Sequence, residues 1–344
     1  MSGAETLLGI ETSCDETAAA VVRGGREILS NVVHSQIDLH RRYRGVVPEV
    51  ASRSHTSRIL PICQAALSDA GLAPADLDAI AVTHRPGMIG CLLVGMSAAK
   101  ALSWWLDLPL IGVDHVRAHI HAAFMTKPDL RTPCLAMVAS GGHTALYKAA
   151  DPLQVERLGT TRDDAAGEAL DKGAALLGLS YPGGPAIEAA AREGDPAAVK
   201  LPRPMLDRDS LDFSFSGIKT ALLYHLRGSG LSRPMPELDE QQVADLAASY
   251  QAAIVDTLVA KLRRAARSSS AASLAIGGGV ARNQLLREQI SSDEVLGSLE
   301  LVFPPMDLCS DNGAMIAGLG TELRRRGEVS DLNLEPMATA RNKR

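Results

Sequence analysis

One order of segments occurs twice along this chain, and that recurrence limits the folds open to it. Residues 6–12 (T-L-L-G-I-E-T) read as a buried strand, and the polar turn S-C-D-E-T follows. Strands over 18–23 and 27–33, joined at Gly24-Gly25, complete a meander. A helical period runs from Glu49 to Ala70 and ends at Gly71, the place after a helix C-terminus that favours glycine. A strand at 78–83, a helix over 89–105 opened by R-P-G-M-I-G, and a strand at 109–113 give the order βββ-α-β-α-β. The second part starts the same way, with a strand at 134–140, a Gly141-Gly142 turn, and strands at 144–149 and 155–159. Helices are expected over 165–177, 185–193, 216–226 and 241–268. A strand at 274–276 runs into Gly277-Gly278-Gly279, and helix 283–290, strand 299–303 and helix 312–324 follow. Only the order repeats; sequence identity between the two parts is negligible. The expectation is an α/β chain of two lobes with duplicated βββαβαβα units and an interlobe cleft. The expected division is an N-terminal lobe at 1–113, a C-terminal lobe at 114–325 and a polar tail at 326–344, lying on the first lobe or partly disordered.

In that arrangement the turns at 12–17 and 140–143 point into the cleft, where two lobes clamp a nucleotide's phosphates. Glu11, Thr12, Ser13, Asp15 and Ser140 supply oxygens for phosphate or metal-bound water. Ordinary hairpin turns share this Gly, Ser and Asp content, so composition alone leaves both readings open.

The sharpest chemical signal lies between the two parts, in V-D-H-V-R-A-H-I-H (113–121). If Asp114 caps a helix, His115 and His119 share one face with Cβ atoms ~6 Å apart. Two imidazoles at that spacing can chelate a transition metal, and they can equally be a half-buried helix face. His121 points elsewhere on the helix. The zinc-protease motif is not met, because Val116 stands where the general-base Glu would be. In F-P-P-M-D-L-C-S-D-N-G-A-M (303–315), Asp311 reads as a helix cap or as a third, hard ligand beside the two histidines. Asp164, Glu168 and Asp171 fall on adjacent turns of one helix, either a solvated acidic face or a surface beside a sugar, with Asp171 suited to ribose hydroxyls. Gly183 and Gly184 allow close backbone approach, and Asn283 after Gly277-Gly278-Gly279 could read a polar edge of a nucleoside.

A net charge of −5 provides no bulk field to draw in polyanions, and 3% aromatic residues remove base stacking as a main route to nucleic acid. Any RNA contact is then local, at Arg41, Arg42, Arg44, Arg53 and Arg58 or at Arg263, Arg264 and Arg267, unless these are solvated faces. Five scattered cysteines with no C-x-x-C pair suit reduced thiols in a cytoplasmic protein. The first strand begins by Leu7, so no targeting peptide is expected before it. No apolar run approaches ~18 residues, so no membrane contact is expected.

Taken together, I-E-T-S-C-D-E-T (10–17), G-V-V-P-E-V-A-S-R (45–53), H-V-R-A-H (115–119), S-G-G-H-T (140–144), D-D-A-A-G-E-A-L-D-K (163–172), Y-P-G-G-P (181–185), D-F-S-F-S-G-I-K-T (212–220) and C-S-D-N-G-A-M-I-A (309–317) resemble the bacterial TsaD family, in the family's order over residues 7 to about 320. The resemblance implies an actin/Hsp70/sugar-kinase-like fold and transfer of a threonylcarbamoyl group from threonylcarbamoyl-AMP to N6 of adenosine 37 in tRNAs reading ANN codons, releasing AMP. It implies that His115, His119 and Asp311 are the ligands of Fe2+ or Zn2+. It implies that Val138, Ala139, Ser140, Gly141, Gly142, Asp171, Gly184 and Asn283 hold the adenylate, with ATP or ADP possible in the same cleft. The partners it implies are tRNA, the paralogue TsaB through the first lobe, the ATPase TsaE, and a TsaC-type synthase that supplies the adenylate. One departure is His84-Arg85-Pro86-Gly87, where the family has a Gly-Pro-Gly run; it is expected to touch the partner-facing region and to leave the metal site alone. Glu11 and Asp15 are the candidates for a general base by position. A metalloprotease, an ATP-switched module and a small-molecule carbamoyltransferase are the rival classes.

Overall fold

The computed structural model describes residues 4–43, 45–206 and 209–338. In chain order it contains β1 (Thr6–Glu11), β2 (Glu16–Arg23), β3 (Glu27–Ser35), α1 (Ile37–Arg41), α2 (Pro48–Asp69), β4 (Ala79–Arg85), α3 (Ile89–Leu106), β5 (Leu110–Asp114) and α4 (His115–Thr126). There follow β6 (Cys134–Ala139), β7 (Thr144–Ala149), β8 (Val155–Thr160), α5 (Ala166–Leu176), α6 (Gly183–Ala190), α7 (Ser216–Arg227) and α8 (Glu240–Ser269). The last elements are β9 (Ser273–Gly277), α9 (Gln284–Ser292), β10 (Glu300–Val302), α10 (Met306–Cys309) and α11 (Gly313–Arg325).

The two sheets have one topology. The first runs β3-β2-β1-β4-β5 and the second, read from its other edge, β8-β7-β6-β9-β10. In each, the first three strands form an antiparallel meander and the last two run parallel to its first strand. The duplicated α/β architecture expected from segment order is therefore present. Short α1 and α10 were not expected; five and four residues carry too little periodicity to read.

Alternation along the first sheet explains its two covered faces. Leu7, Ala20, Val22, Ala79 and Ala81 pack with Ala118, Ala122, Ile316 and Leu319 from α4 and α11. Their neighbours Leu8, Ala19, Val21, Ile80 and Val82 pack on the other face with Ile59, Cys63, Met96 and Ala99 from α2 and α3. Helix α11 presses on the sheet through glycines. A Cβ on Gly313 would lie 2.5 Å from Ala20 N, and one on Gly9 would meet the Gly313 carbonyl oxygen at 2.2 Å.

The described residues form two compact units, one within 1–129, 152–154 and 304–344 and the other within 130–151 and 155–303. This differs from the expected break at 113/114. Helices α4 and α11 bury their apolar faces on the first sheet, so the histidine helix and Asp311 both belong to the first unit. The tail also belongs to it. Ser330 N donates to Leu110 O at 2.8 Å on the open edge of β5, and Met337 N donates to His84 O at 2.8 Å near the end of β4. Its last six residues, 339–344, lie outside the described residues.

Two helices, α3 and α8, are long and apolar enough to cross a membrane, contrary to the expectation that no such stretch exists. Both have partners within their units: α8 is mostly buried, and α3 buries Cys91, Leu92, Gly95, Met96, Ala98 and Ala99. All five cysteines are free. Burial pushes the thiols of Cys63 and Cys91 up to about 12 and that of Cys134 to about 11, so these three are inert.

Candidate metal centre and glycine-lined turns

Strand β5 ends at Asp114, and Asp114 starts α4. Its Oδ1 accepts the amides of Val116 at 3.1 Å and Arg117 at 3.2 Å, as the cap expected there should. Its Oδ2 accepts Arg85 Nε at 3.2 Å. The His84-Arg85 departure therefore does not leave the metal helix alone, because Arg85 braces the residue that caps it. One turn of α4 brings the rings of His115 and His119 edge to face, with centroids 4.7 Å apart.

Asp311 arrives from the segment between α10 and α11. Asn312 caps α11, its Oδ1 accepting Met315 N at 2.9 Å, so the capping reading of Asp311 is corrected by one residue. The Asp311 carboxylate lies 3.1 Å from His119 Nε2 and 3.5 Å from His115 Nε2. The three ligand atoms all fall within 4.8 Å of one another. His115 and His119 are 3% and 2% exposed.

Behind His115 stands Glu11, wholly buried at the end of β1. Its Oε2 accepts from Thr83 Oγ1 at 2.5 Å and from His115 Nδ1 at 2.9 Å, and its Oε1 accepts the Ser13 amide. Burial alone would raise the Glu11 pKa, but the His115 charge and hydrogen bond outweigh it and hold the carboxyl below its usual range. An ionised carboxylate only accepts, so Nδ1 of His115 carries a hydrogen. In a neutral ring, Nε2 then presents a lone pair to the Asp311 oxygen. Two acceptors facing each other require a cation between them. In the ion-free protein that cation is a proton: burial opposes it, but Asp311 and Glu11 push the His115 pKa up to about 9. Among the described residues, the buried Nδ1 of His119 also lacks a hydrogen-bond partner. Two imidazoles and one carboxylate whose ligand atoms converge in this way fit iron(II) or zinc.

In the second unit the carboxyl ends of parallel β6 and β9 lie side by side, with Val138 opposite Gly277. Here the chain runs backbone against backbone. A Cβ on Gly278, at φ +86°, would sit 2.4 Å from Ala139 O, and one on Gly167 would sit 2.6 Å from Ser140 O. Val138 and Ala139 are buried in β6, whereas Gly141 and Gly142 are exposed with open space around them. Gly184 is half-buried, and a Cβ there would meet Leu170 Cδ1 at 3.9 Å. Asp171 Oδ1 accepts the Gly183 amide at 2.6 Å and so ties the start of α6 to α5. Asn283 is turned inward: its Oδ1 caps α9 on Leu286 N at 3.0 Å and its Nδ2 donates to Gln251 at 3.1 Å. These two bonds fix the loop at the start of α9 and leave the amide further hydrogen-bonding capacity.

The acidic face at 164–171 is partly neutralised, since Lys172 Nζ lies 2.6 Å from Asp164 and 3.0 Å from Glu168. Asp163, which sequence reasoning passed over, accepts from Ser214 and Ser216 hydroxyls and the Phe215 amide, fastening the start of α7. The basic runs are also less free than they read. Arg263 pairs with Asp293, Arg264 donates to the carbonyls of Leu206 and Ser210, and Arg41 pairs with Asp38. Arg44 lies outside the described residues.

A family model described as TsaD, tRNA N6-adenosine threonylcarbamoyltransferase, matches residues 27–318. A protein of that description from Symbiobacterium thermophilum is 51% identical over 328 residues, covering 95% of this chain and 94% of its own. Another, from Anaeromyxobacter dehalogenans strain 2CP-C, is 51% identical over 333 residues, covering 96% and 98%. Among solved structures, HypF of T. kodakarensis aligns with TM-score 0.59 at 17% identity, over 96% of this chain and 49% of its own. Component A of the Acidaminococcus fermentans (R)-2-hydroxyglutaryl-CoA dehydratase aligns with TM-score 0.54 at 13% identity, over 94% and 98%. These likenesses show an actin/Hsp70/sugar-kinase-type fold.

Proposed function

The chain belongs to the TsaD family of tRNA N6-adenosine threonylcarbamoyltransferases, and on that premise we propose that it moves the threonylcarbamoyl group of threonylcarbamoyl-AMP to N6 of adenosine 37 in tRNAs reading ANN codons. The family's activity makes the chain a transferase in t6A synthesis. The observation that carries the finer reading is the convergence of His115, His119 and Asp311.

In the proposed step the N6 amine attacks the carbamoyl carbonyl, a C–N bond forms, the bond from carbonyl carbon to phosphate oxygen breaks, and AMP leaves as N6 loses a proton. His115, His119 and Asp311 would hold a divalent iron or zinc ion, which would supply Lewis-acid stabilisation of the departing phosphate. The chain's own contribution is positioning. Gly141 and Gly142 offer an unshielded backbone to the adenylate, or to ATP or ADP, while Asp171 and Asn283 hold the neighbouring turns in shape. Glu11 is not available as a general base, since both oxygens are engaged in the interior. The mixed anhydride is already activated, so a weak acceptor such as solvent suffices for the proton.

Helix α3 supports a partner reading for the first unit. Ile89, Leu93 and Trp104 fall within one stripe of its outer face, and Trp104 is 76% exposed. With Leu60 of α2 this is a surface for TsaB. TsaE and a TsaC-type supplier of the adenylate complete the proposed cytoplasmic set. The test is nucleoside analysis of tRNA after incubation with threonine, bicarbonate, ATP, the adenylate-forming enzyme and this protein with its partners. The modified nucleoside is expected; unmodified adenosine in every combination overturns the reading.

A further inference from the structure

We propose that Glu11, outside the ligand triad, fixes the tautomer and ring angle of His115 and thereby sets the metal affinity of the pocket. The proposal rests on the reading that His115, His119 and Asp311 hold a cation.

Glu11 is built to be immobile. Strand β1 places it, β4 reaches it through the Thr83 hydroxyl, the turn after β1 through the Ser13 amide, and α4 through His115. All four groups belong to one compact unit. A neutral imidazole free of such a partner can carry its hydrogen on either nitrogen. With the hydrogen on Nε2, the ring would donate to Asp311 and close the position a metal needs. The Glu11 carboxylate forbids that tautomer by demanding the hydrogen on Nδ1. Ser13 Oγ, 3.2 Å from the same nitrogen, cannot substitute, because a hydroxyl accepts or donates with equal ease. Buried as it is, Glu11 acts through His115 and is a positioning residue.

Glu11→Gln tests this with almost no change of shape. Either its amide nitrogen faces the Ser13 amide, two donors together, or it faces His115 and draws the hydrogen to Nε2. Zn2+ affinity of the purified full chain would be read by competition with a chromophoric chelator, and geometry from the visible absorption of added Co2+. The expected result is a loss of ~10–100-fold in Zn2+ affinity and an altered Co2+ band. The shorter Glu11→Asp, which keeps the carboxylate, should recover part of both. Thr83→Val removes a donor to the same carboxylate but leaves what His115 meets; it should lower thermal stability and keep the Co2+ band. A folded Glu11→Gln with wild-type affinity and band overturns the proposal. Should Glu11→Gln not fold, the nitrogen-15 shifts of the Zn2+-loaded wild-type protein decide instead, and a His115 that carries its hydrogen on Nε2 overturns the proposal. Co2+ binding that is equally weak in wild type and His115→Ala overturns the metal reading itself, a separate outcome.

Discussion

Replacing Gly313 with Ala should damage stability and metal binding together, although Gly313 touches no ligand of the ion. The added Cβ would lie 2.5 Å from Ala20 N, 2.6 Å from Ala19 C and 2.9 Å from Ala19 Cα. Ordinary carbon contacts are ~3.5–4.0 Å, so about 1 Å must be found. Every obstructing atom is backbone in the middle of β2, which is hydrogen-bonded on both sides, so α11 has to retreat instead. Overpacking of this kind costs about 1–3 kcal/mol. At ~2–4 °C per kcal/mol for a body of this size, Tm should fall by about 2–12 °C. Asp311 lies two residues before Gly313 and moves with it. A shift of about 1 Å compares with the ~0.2 Å tolerance of metal–ligand distances, so Zn2+ affinity should fall at least tenfold by the same arithmetic. Differential scanning calorimetry without metal, and chelator competition with it, measure the two effects. Gly141→Ala, with open space at its Cβ, is the control and should change neither. A Gly313→Ala protein that melts and binds Zn2+ like wild type would refute the close-packing account of how Asp311 reaches the histidines.

Metal binding should release about one proton at pH 7.5, because the ion displaces the proton that holds His115 near 9. Calorimetry in buffers of different ionisation heat reads this directly, and apparent affinity should climb as pH rises toward 9. In the ion-free protein the sign is fixed: a raised histidine pKa stabilises the fold below ~6.5, and that stability disappears as pH climbs through about 9. His121 behaves oppositely. Burial first, then Arg26, pushes it down to about 3, so its contribution is complete above ~6.5 and is lost as pH drops toward 3, by up to ~1.4 kcal/mol per pH unit. His121→Leu should flatten the acid limb of urea unfolding; an unchanged limb contradicts the assignment. For tRNA, with Arg263 and Arg264 engaged internally, the isolated chain should show a log–log salt slope of about −3 to −4, and a steeper slope would contradict it.

The fold was legible because alternation and turn chemistry are local. Leu7 and Leu8 face opposite layers, Gly24 and Gly25 carry φ of 61° and 78° at the hairpin, and Gly71 takes 67° after α2, as their places in the sequence required. The division into units was not legible, since it depends on which sheet α4 and α11 cover, and both helices are apolar enough to cover either. Asp311 and His119 are 192 positions apart, and spacing alone left each with a bland alternative. The resemblance singled them out, and the geometry brings them to 3.1 Å. Asn283 and Asp311 show the same limit in reverse. A polar residue at a helix start can cap, bind or do both, and spacing does not show that Asn283 caps α9 or that Asn312, rather than Asp311, caps α11.

Charge favours the proposed divalent ion over the proton that the pocket otherwise holds. Two carboxylates, Glu11 and Asp311, contact the two rings in a nearly water-free space. With His115 protonated, one negative charge remains uncompensated there, and buried unpaired charge is costly. With both rings neutral and a divalent ion on Nε2 of His115, Nε2 of His119 and Asp311, the four groups sum to zero. Glu11 is the term that makes this balance. Without its charge the same triad would sum to zero with a single proton, and the advantage of a second positive charge would vanish. In the proposed metal-bound state that carboxylate would then both orient a ligand of the ion and favour its double charge.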